Sequence, residues 1–262
     1  QEGKTPNPCV ICNKEIKFGL LLKKLPELNS DYLATGHYAC LKKSNTGYEL
    51  LKAKDKAKDQ TYFLYNLKQK ELQKVLFPIG NYLKEDIRNM TKEFNIANLI
   101  VPESKNLCFI NGITKNYLKK HLTLKPGLIL DKNGIKIGKH KGLPLYTIGQ
   151  RKEIKVSGFL PYYVLRLDFK NNALIVTNDE RDLYEKELIV EKVNWISGKE
   201  PRLPKRIKAK IRYLHPSSSA EITSKTKKGY LVKFIYAQRA ITSGQSIVFY
   251  DKKNILGGGT IK

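Results

Sequence analysis

Cys9-Val10-Ile11-Cys12 places two thiols three residues apart, directly after Thr5-Pro6-Asn7-Pro8 and directly before a stretch of apolar periodicity. Pro6 and Pro8 forbid a helix before Cys9, so residues 1–13 read as a braced loop that opens onto a helix. Backbone N–H groups and the dipole at a helix N-terminus favour a thiolate, which makes Cys12 a candidate nucleophile. The same spacing suits two zinc ligands, but a structural zinc site takes four and no second CxxC follows. A thioredoxin-like redox pair would sit after a strand, and this pair does not. Two passive cysteines are a further reading. Cys108, in Asn106-Leu107-Cys108-Phe109-Ile110, reads by itself as a small buried hydrophobe, and Cys40 has no special setting. His37 follows Gly36 at the end of a strand-like run, where α/β sheets contact ligands; a plain turn histidine is the competing reading. Lys58-Asp59-Gln60 by itself is an ordinary exposed helix start.

The elements that must position these groups follow from pattern. Glu15 to Leu28 carries Ile16, Phe18, Leu20, Leu21, Leu22 and Leu25 at near-helical spacing. Asp31 to Ala39 reads as a buried strand, followed by a hairpin with Ser44-Asn45-Thr46-Gly47 at its turn. Lys58 to Leu64 leads into an amphipathic helix, Gln69 to Leu76 into another, and Lys84 to Phe94 is a helix with Ile87, Met90 and Phe94 on one stripe. A short helix over Lys115–His121 precedes glycine turns at Gly127, Gly134 and Gly138. Beyond Pro161 the pattern is alternating strands, with a hairpin around Asn171-Asn172 and turns at Gly229, Gly244 and Gly257–Gly259. The fold class is α/β plus all-β: an α-rich first part with a buried strand, then a small β-barrel or sandwich.

At 262 residues and 41% apolar content, the chain has room for two domains or three small ones, which excludes a disordered or fibrous protein. No apolar run reaches the ~20 residues of a membrane span. Lys and Arg number 49 against 24 Asp and Glu, a net charge of +25 that suits a polyanionic partner. Only eight of the 49 are Arg, so a genome rich in A and T would produce the same mixture without any partner. Few cysteines and no secretory segment point to a reducing compartment. The one methionine is Met90, so the chain is expected to be part of a longer product.

Nine pieces occur in order: GKTPNPCVICNKEIKF, DYLATGHYA, AKDQTYFLYNL, LFPIGNYLKEDIR, PESKNLCFI, HKGLPLYTIGQRK, IRYLHP, SGQSIVFYD and GGGTI. Together, from about Gly3 to Ile261, they resemble the bacterial and organellar tRNA-specific 2-thiouridylases, the MnmA family. The resemblance implies transfer of sulfur to C2 of the wobble uridine of tRNA, with ATP and, expected with it, Mg. It implies that Cys12 is the first catalytic cysteine and that Cys108 carries the persulfide received from a sulfur donor, either a cysteine desulfurase or a relay protein. Release of that sulfur would leave a Cys12–Cys108 disulfide. Asn7, Pro8 and Cys9 match the loop that meets the target base. Gly36 matches a nucleotide-contacting turn, and His37, Lys58, Asp59, Gln60, Arg212, Tyr213 and Gln245 match tRNA contacts, those of the barrel remote from the chemistry.

The implied architecture is the remainder of an adenine-nucleotide alpha-hydrolase-like (ATP-pyrophosphatase) α/β domain over 1–112, a central domain over 113–187 and a C-terminal β-barrel over 188–262. The compartment implied is a cytoplasm, or else an organelle. Two departures stand out. The Ser/Gly-rich phosphate loop, which reads like SGGVDSS in such enzymes, does not occur here, and position 9 is Cys where many members have Asp. Cys9, Cys12 and Cys108 could then hold an iron–sulfur cluster, ranked below the two-cysteine scheme. The rival reading is a non-enzymatic tRNA-binding fragment; a weaker third is a CxxC redox or zinc protein.

Overall fold

The computed structural model describes residues 4–94, 114–154, 156 and 160–262. Its first element, α1 (Pro8–Cys12), starts earlier than the loop expected there. Asn7 caps it, its Oδ1 accepting from Val10 N–H at 3.4 Å, and Pro8 occupies the first turn. Proline suits that position because its fixed φ is already helical and its missing N–H has no partner there anyway. The chain continues through a π-helical stretch (Asn13–Leu20) into α2 (Leu21–Lys24), and Pro26 follows in the turn beyond. Val10, Phe18 and Leu25 form the buried side.

Between these helices and residue 94 the sheet content is small. The expected strand over 31–39 reduces to β1 (Leu33–Ala34), which later pairs in parallel with β4 (Val75–Leu76). The hairpin is present as read: β2 (Ala39–Ser44) and β3 (Gly47–Lys52) in antiparallel register. The helix expected from Lys58 is only a 3-10 turn (Thr61–Phe63), and the one expected over Gln69–Leu76 shortens to α3 (Gln69–Leu72). Thr61, Tyr62, Leu64, Tyr65 and Leu67 are all buried, more apolar positions than one helix face can hide, so the backbone winds irregularly to seat each in turn. α4 (Lys84–Glu93) agrees with its pattern, yet none of its residues is buried.

The central part holds α5 (Thr114–His121) and a four-stranded sheet of β5 (Gly127–Asp131), β6 (Lys136–His140), β7 (Tyr163–Asp168) and β8 (Ala173–Thr177), in the order β6-β5-β8-β7. Gly138, expected in a turn, lies within β6. The sheet packs its own core of Ile129, Leu143, Val164, Leu174 and Val176.

Six antiparallel strands then close into a barrel: β9 (Tyr184–Trp195), β10 (Lys205–Lys210), β11 (Ser218–Thr226), β12 (Gly229–Arg239), β13 (Ser246–Asp251) and β14 (Asn254–Ile261). The β13–β14 pairing completes the circle. Gly257–Gly259 is not the turn its composition suggests but part of β14. A Cβ on Gly257 would lie 2.1 Å from the Asn194 carbonyl oxygen, and one on Gly258 2.9 Å from the Tyr65 ring. Glycine is needed there for close approach rather than for reversal.

The barrel and the α-rich part share one core. β14 also pairs with β3 through Asn254 and Leu51, so the β2–β3 hairpin extends the barrel sheet. Val10, Phe18, Leu50, Tyr62, Leu72, Val248, Tyr250 and Ile255 belong to one buried cluster. Tyr62 Oη donates to the Ser246 carbonyl at 2.8 Å, and Asn194 Nδ2 donates to the Tyr65 and Leu67 carbonyls at 2.7 and 3.0 Å. No described helix is long and apolar enough to cross a membrane.

Candidate functional site

Cys9 and Cys12 are both half-buried, on successive turns of one helix. Because the helix starts at Pro8, Cys12 stands a full turn inside it, and Cys9 is the thiol nearer the N-terminus. The next residue, Asn13, is buried and donates from Nδ2 to the Phe63 carbonyl at 3.3 Å. That bond fastens the thiol-bearing helix to the segment that follows Lys58–Gln60. Cys108 lies outside the described residues. Cys40 lies on the hairpin, its Sγ donating to Asn81 Oδ1 at 3.2 Å, and burial pushes its thiol up.

His37 is 7% exposed, set between the rings of Phe18 and Phe77 at 5.7 and 6.1 Å, with Nδ1 2.8 Å from the Thr35 hydroxyl. Burial, helped by the Lys17 charge, pushes its pKa down to about 4, so it is a neutral imidazole at pH 7. Beside it, Gly36 opens onto space: an added Cβ would meet nothing within 4 Å.

The Lys58-Asp59-Gln60 triplet faces inward more than its sequence suggests. Gln60 Oε1 accepts from Tyr38 N–H at 3.0 Å, while Gln60 N–H donates to the Tyr38 carbonyl at 2.9 Å. Asp59 Oδ1 accepts from the N–H groups of Ala53 and Thr61, both at 3.3 Å, and from the Thr61 hydroxyl at 2.9 Å. Lys58 lines an open groove with Lys84, Arg88 and Lys92 of α4.

The barrel residues are not remote from the thiols. Thr5 N–H donates to the Ser243 carbonyl at 2.9 Å, so the turn that carries Gln245 abuts the segment leading to Asn7 and Cys9. Arg212 donates from Nη2 to the Ile148 and Ala240 carbonyls, each at 3.0 Å, and to the Thr242 hydroxyl at 2.7 Å, tying barrel to central part. The Tyr213 ring packs on Phe63 with 4.5 Å between centroids. The distance in sequence between these pieces hid this convergence: the shared core folds the chain's two ends together. Among the described residues no group of three or more His, Cys, Asp or Glu could hold a metal ion.

Models of the tRNA methyl transferase HUP domain, the tRNA methyl transferase PRC-barrel domain and the aminomethyltransferase β-barrel domain match residues 1–112, 115–178 and 185–261. The chain is 47% identical to the tRNA-specific 2-thiouridylase MnmA of Halothermothrix orenii over 266 residues, covering 100% of this chain and 74% of that protein. It is 45% identical to the protein of that name from Clostridioides difficile, covering 100% and 73%, and 41% identical to that of Syntrophomonas wolfei, covering 100% and 78%.

Proposed function

This chain belongs to the MnmA family of tRNA-specific 2-thiouridylases, and on that premise we propose that it thiolates C2 of the wobble uridine of tRNA by ATP-dependent transfer of persulfide sulfur. It is a tRNA sulfurtransferase acting in 2-thiouridine formation, and the observation that carries the finer reading is the placement of Cys12. That thiol is half-buried, on a helix capped by Asn7 and fastened by Asn13 to the Lys58–Phe63 segment.

In the proposed scheme, Cys108 receives sulfur from a donor, a cysteine desulfurase or a relay protein, and carries it as a persulfide. ATP would supply an adenylyl group to the uridine O2, with pyrophosphate leaving, which makes that oxygen a leaving group. The open space at Gly36 fits the approach of the nucleotide to the backbone. The terminal persulfide sulfur attacks C2, and Cys12 thiolate attacks the Cys108 sulfur. The persulfide S–S bond breaks, a Cys12–Cys108 bond forms, and AMP leaves with the uridine oxygen. A thiol reductant then returns two electrons to the disulfide. The scheme assigns no step to magnesium or to an iron–sulfur cluster.

Asn7, Pro8 and Cys9 would meet the base, with His37 supplying a neutral edge beside it. Lys58, Gln60, Arg212, Tyr213 and Gln245 would face the tRNA, Arg212 through nitrogens other than Nη2. We assign chemistry to residues 1–112, linkage to 113–187 and RNA docking to the barrel over 188–262. The bacterial relatives favour a cytoplasm over an organelle.

The test is 2-thiouridine content of tRNA after incubation with ATP, magnesium and a persulfide donor. Cys12→Ser and Cys108→Ser should each abolish product while Cys40→Ser retains it. Full activity in either of the first two defeats the scheme, and tRNA binding without any product in the unaltered chain would favour a non-enzymatic tRNA-binding module.

A further inference from the structure

Lys52 at the end of β3 and Lys210 at the end of β10 are far apart in sequence, but Lys210 lies opposite Val248 on β13, two residues from the Tyr250 over whose ring Lys52 stands. The Lys52 ammonium stands 4.2 Å from the centroid of the Tyr250 ring, and that of Lys210 stands 5.4 Å from the Tyr213 ring. Tyr250 is fully buried, so its ring is a fixed floor. Both lysines are half-buried. Burial, and for Lys210 also the Lys52 charge, holds both below the usual lysine range, while Asp59 is the carboxylate that offsets them. Asp59 also serves the N–H groups of Ala53 and Thr61 and the Thr61 hydroxyl. Two other barrel lysines have a carboxylate each: Lys205 pairs with Asp251 at 3.4 Å and Lys225 with Glu200 at 2.7 Å.

Two ammonium groups drawn partly out of water against one carboxylate leave one positive charge uncompensated, an arrangement that is unfavourable until an anion arrives. The neighbours indicate which anion. Asp59 follows Lys58, and Tyr213 follows Arg212, so the seat lies inside the surface already assigned to tRNA. We propose that Lys52 and Lys210 together hold one backbone phosphate of the bound tRNA, with Asp59 acting through them as a positioning residue. This rests on the reading of tRNA as the partner.

The experiment is tRNA binding by the unaltered protein and by Lys52→Met, Lys210→Met and double variants at several salt concentrations. Two lysines sharing one phosphate predict that the double variant lowers the log–log salt slope by about one unit and each single variant by less. The advantage of the unaltered protein over the double variant should then shrink about fourfold between about 50 and 200 mM salt. Lys52→Arg with Lys210→Arg should restore the slope. Lys210→Met should also raise the melting midpoint of the free protein, since one lysine then faces one carboxylate; a purely structural lysine would lower it.

An unchanged slope in the double variant overturns the proposal, and a fall of about two units overturns the shared phosphate. Weakened ATP binding with an unchanged tRNA slope would give the seat to a nucleotide phosphate instead. Failure of the unaltered protein to bind tRNA would defeat the broader reading, a result distinct from all of these.

Discussion

In the barrel, six strands pair in a ring and leave no edge, and Val190, Ile222, Val232, Ile247 and Phe249 are hidden inside. Around Cys12, by contrast, β1 and β4 offer two residues each, and Ile11, Ile16, Leu20, Leu28, Tyr32 and Leu76 are exposed. The thiol-bearing region therefore has little architecture of its own among the described residues. It takes its order from the barrel: Tyr62 and Tyr65 reach into the barrel wall, Asn194 holds the Tyr65 and Leu67 carbonyls, and Gln69 Nε2 donates to the Ile196 carbonyl at 2.7 Å. The candidate thiols Cys9 and Cys12 sit on the loosely packed side, and the helix that carries them is held by the rigid side.

The comparison makes its strongest demand at Tyr62. Tyr62→Ala removes a fully buried ring shared by both regions and should cost about 3–5 kcal/mol. Urea unfolding followed by both far-ultraviolet circular dichroism and tyrosine fluorescence should show one cooperative transition moving to lower denaturant. Two separated transitions, with the barrel unaffected, would break the idea of a common core.

Acid should probe the thiol-bearing side next. With an unfolded value of 6.5 and a folded value of about 4, neutral His37 contributes stability that is complete above pH 6.5. It is lost as pH falls toward 4, to a total of at most about 3 kcal/mol, because the unfolded state takes up the proton more readily. Unfolding free energies measured between pH 7 and 4 should therefore fall less steeply in His37→Gln. The slope that persists belongs in part to His140 and His215, whose burial also pushes them down. An identical slope in the variant would mean that His37 is charged in the folded protein.

The smallest effect should be the most local. Asn7→Ala removes the cap of α1 at a cost of about 1 kcal/mol, and Asn7→Asp should preserve it. Amide exchange should quicken at Val10 while the barrel amides hold their protection. Thiolation should fall in Asn7→Ala more than stability does, because the cap aims Cys9 and Cys12.

Much of the secondary structure was legible where the signal is local. The Ser44–Gly47 and Asn171–Asn172 hairpins and the helix over 84–93 lie where their patterns put them. The segment Thr61–Leu67 and the run Gly257–Gly259 do not. In both, what decides the backbone is a neighbour distant in sequence: the barrel wall for the first, the Asn194 carbonyl and the Tyr65 ring for the second. Motif order brought the candidate thiols and RNA contacts into view, yet it assigned Asp59 and Gln60 outward roles that their hydrogen bonds to Ala53 and Tyr38 complicate. Nothing local distinguishes Lys52 and Lys210 among the 49 basic residues, because their desolvation comes from segments distant in sequence.

Sequence by itself determined the chemistry available and the family: thiols at 9, 12 and 108, ordered motifs along the whole chain, and an excess of positive charge suited to RNA. Only the tertiary structure decided that Gln245 lies beside the segment leading to Cys9, that His37 is uncharged, and that Lys52 and Lys210 are drawn partly out of water against tyrosine rings. Residue types and local spacing carry the first kind of information because reactivity and helix or strand preference act over a few residues. Burial, ionisation and convergence depend on which distant segments exclude water together, and that is settled only when the hairpin and Tyr62 dock against the closed barrel.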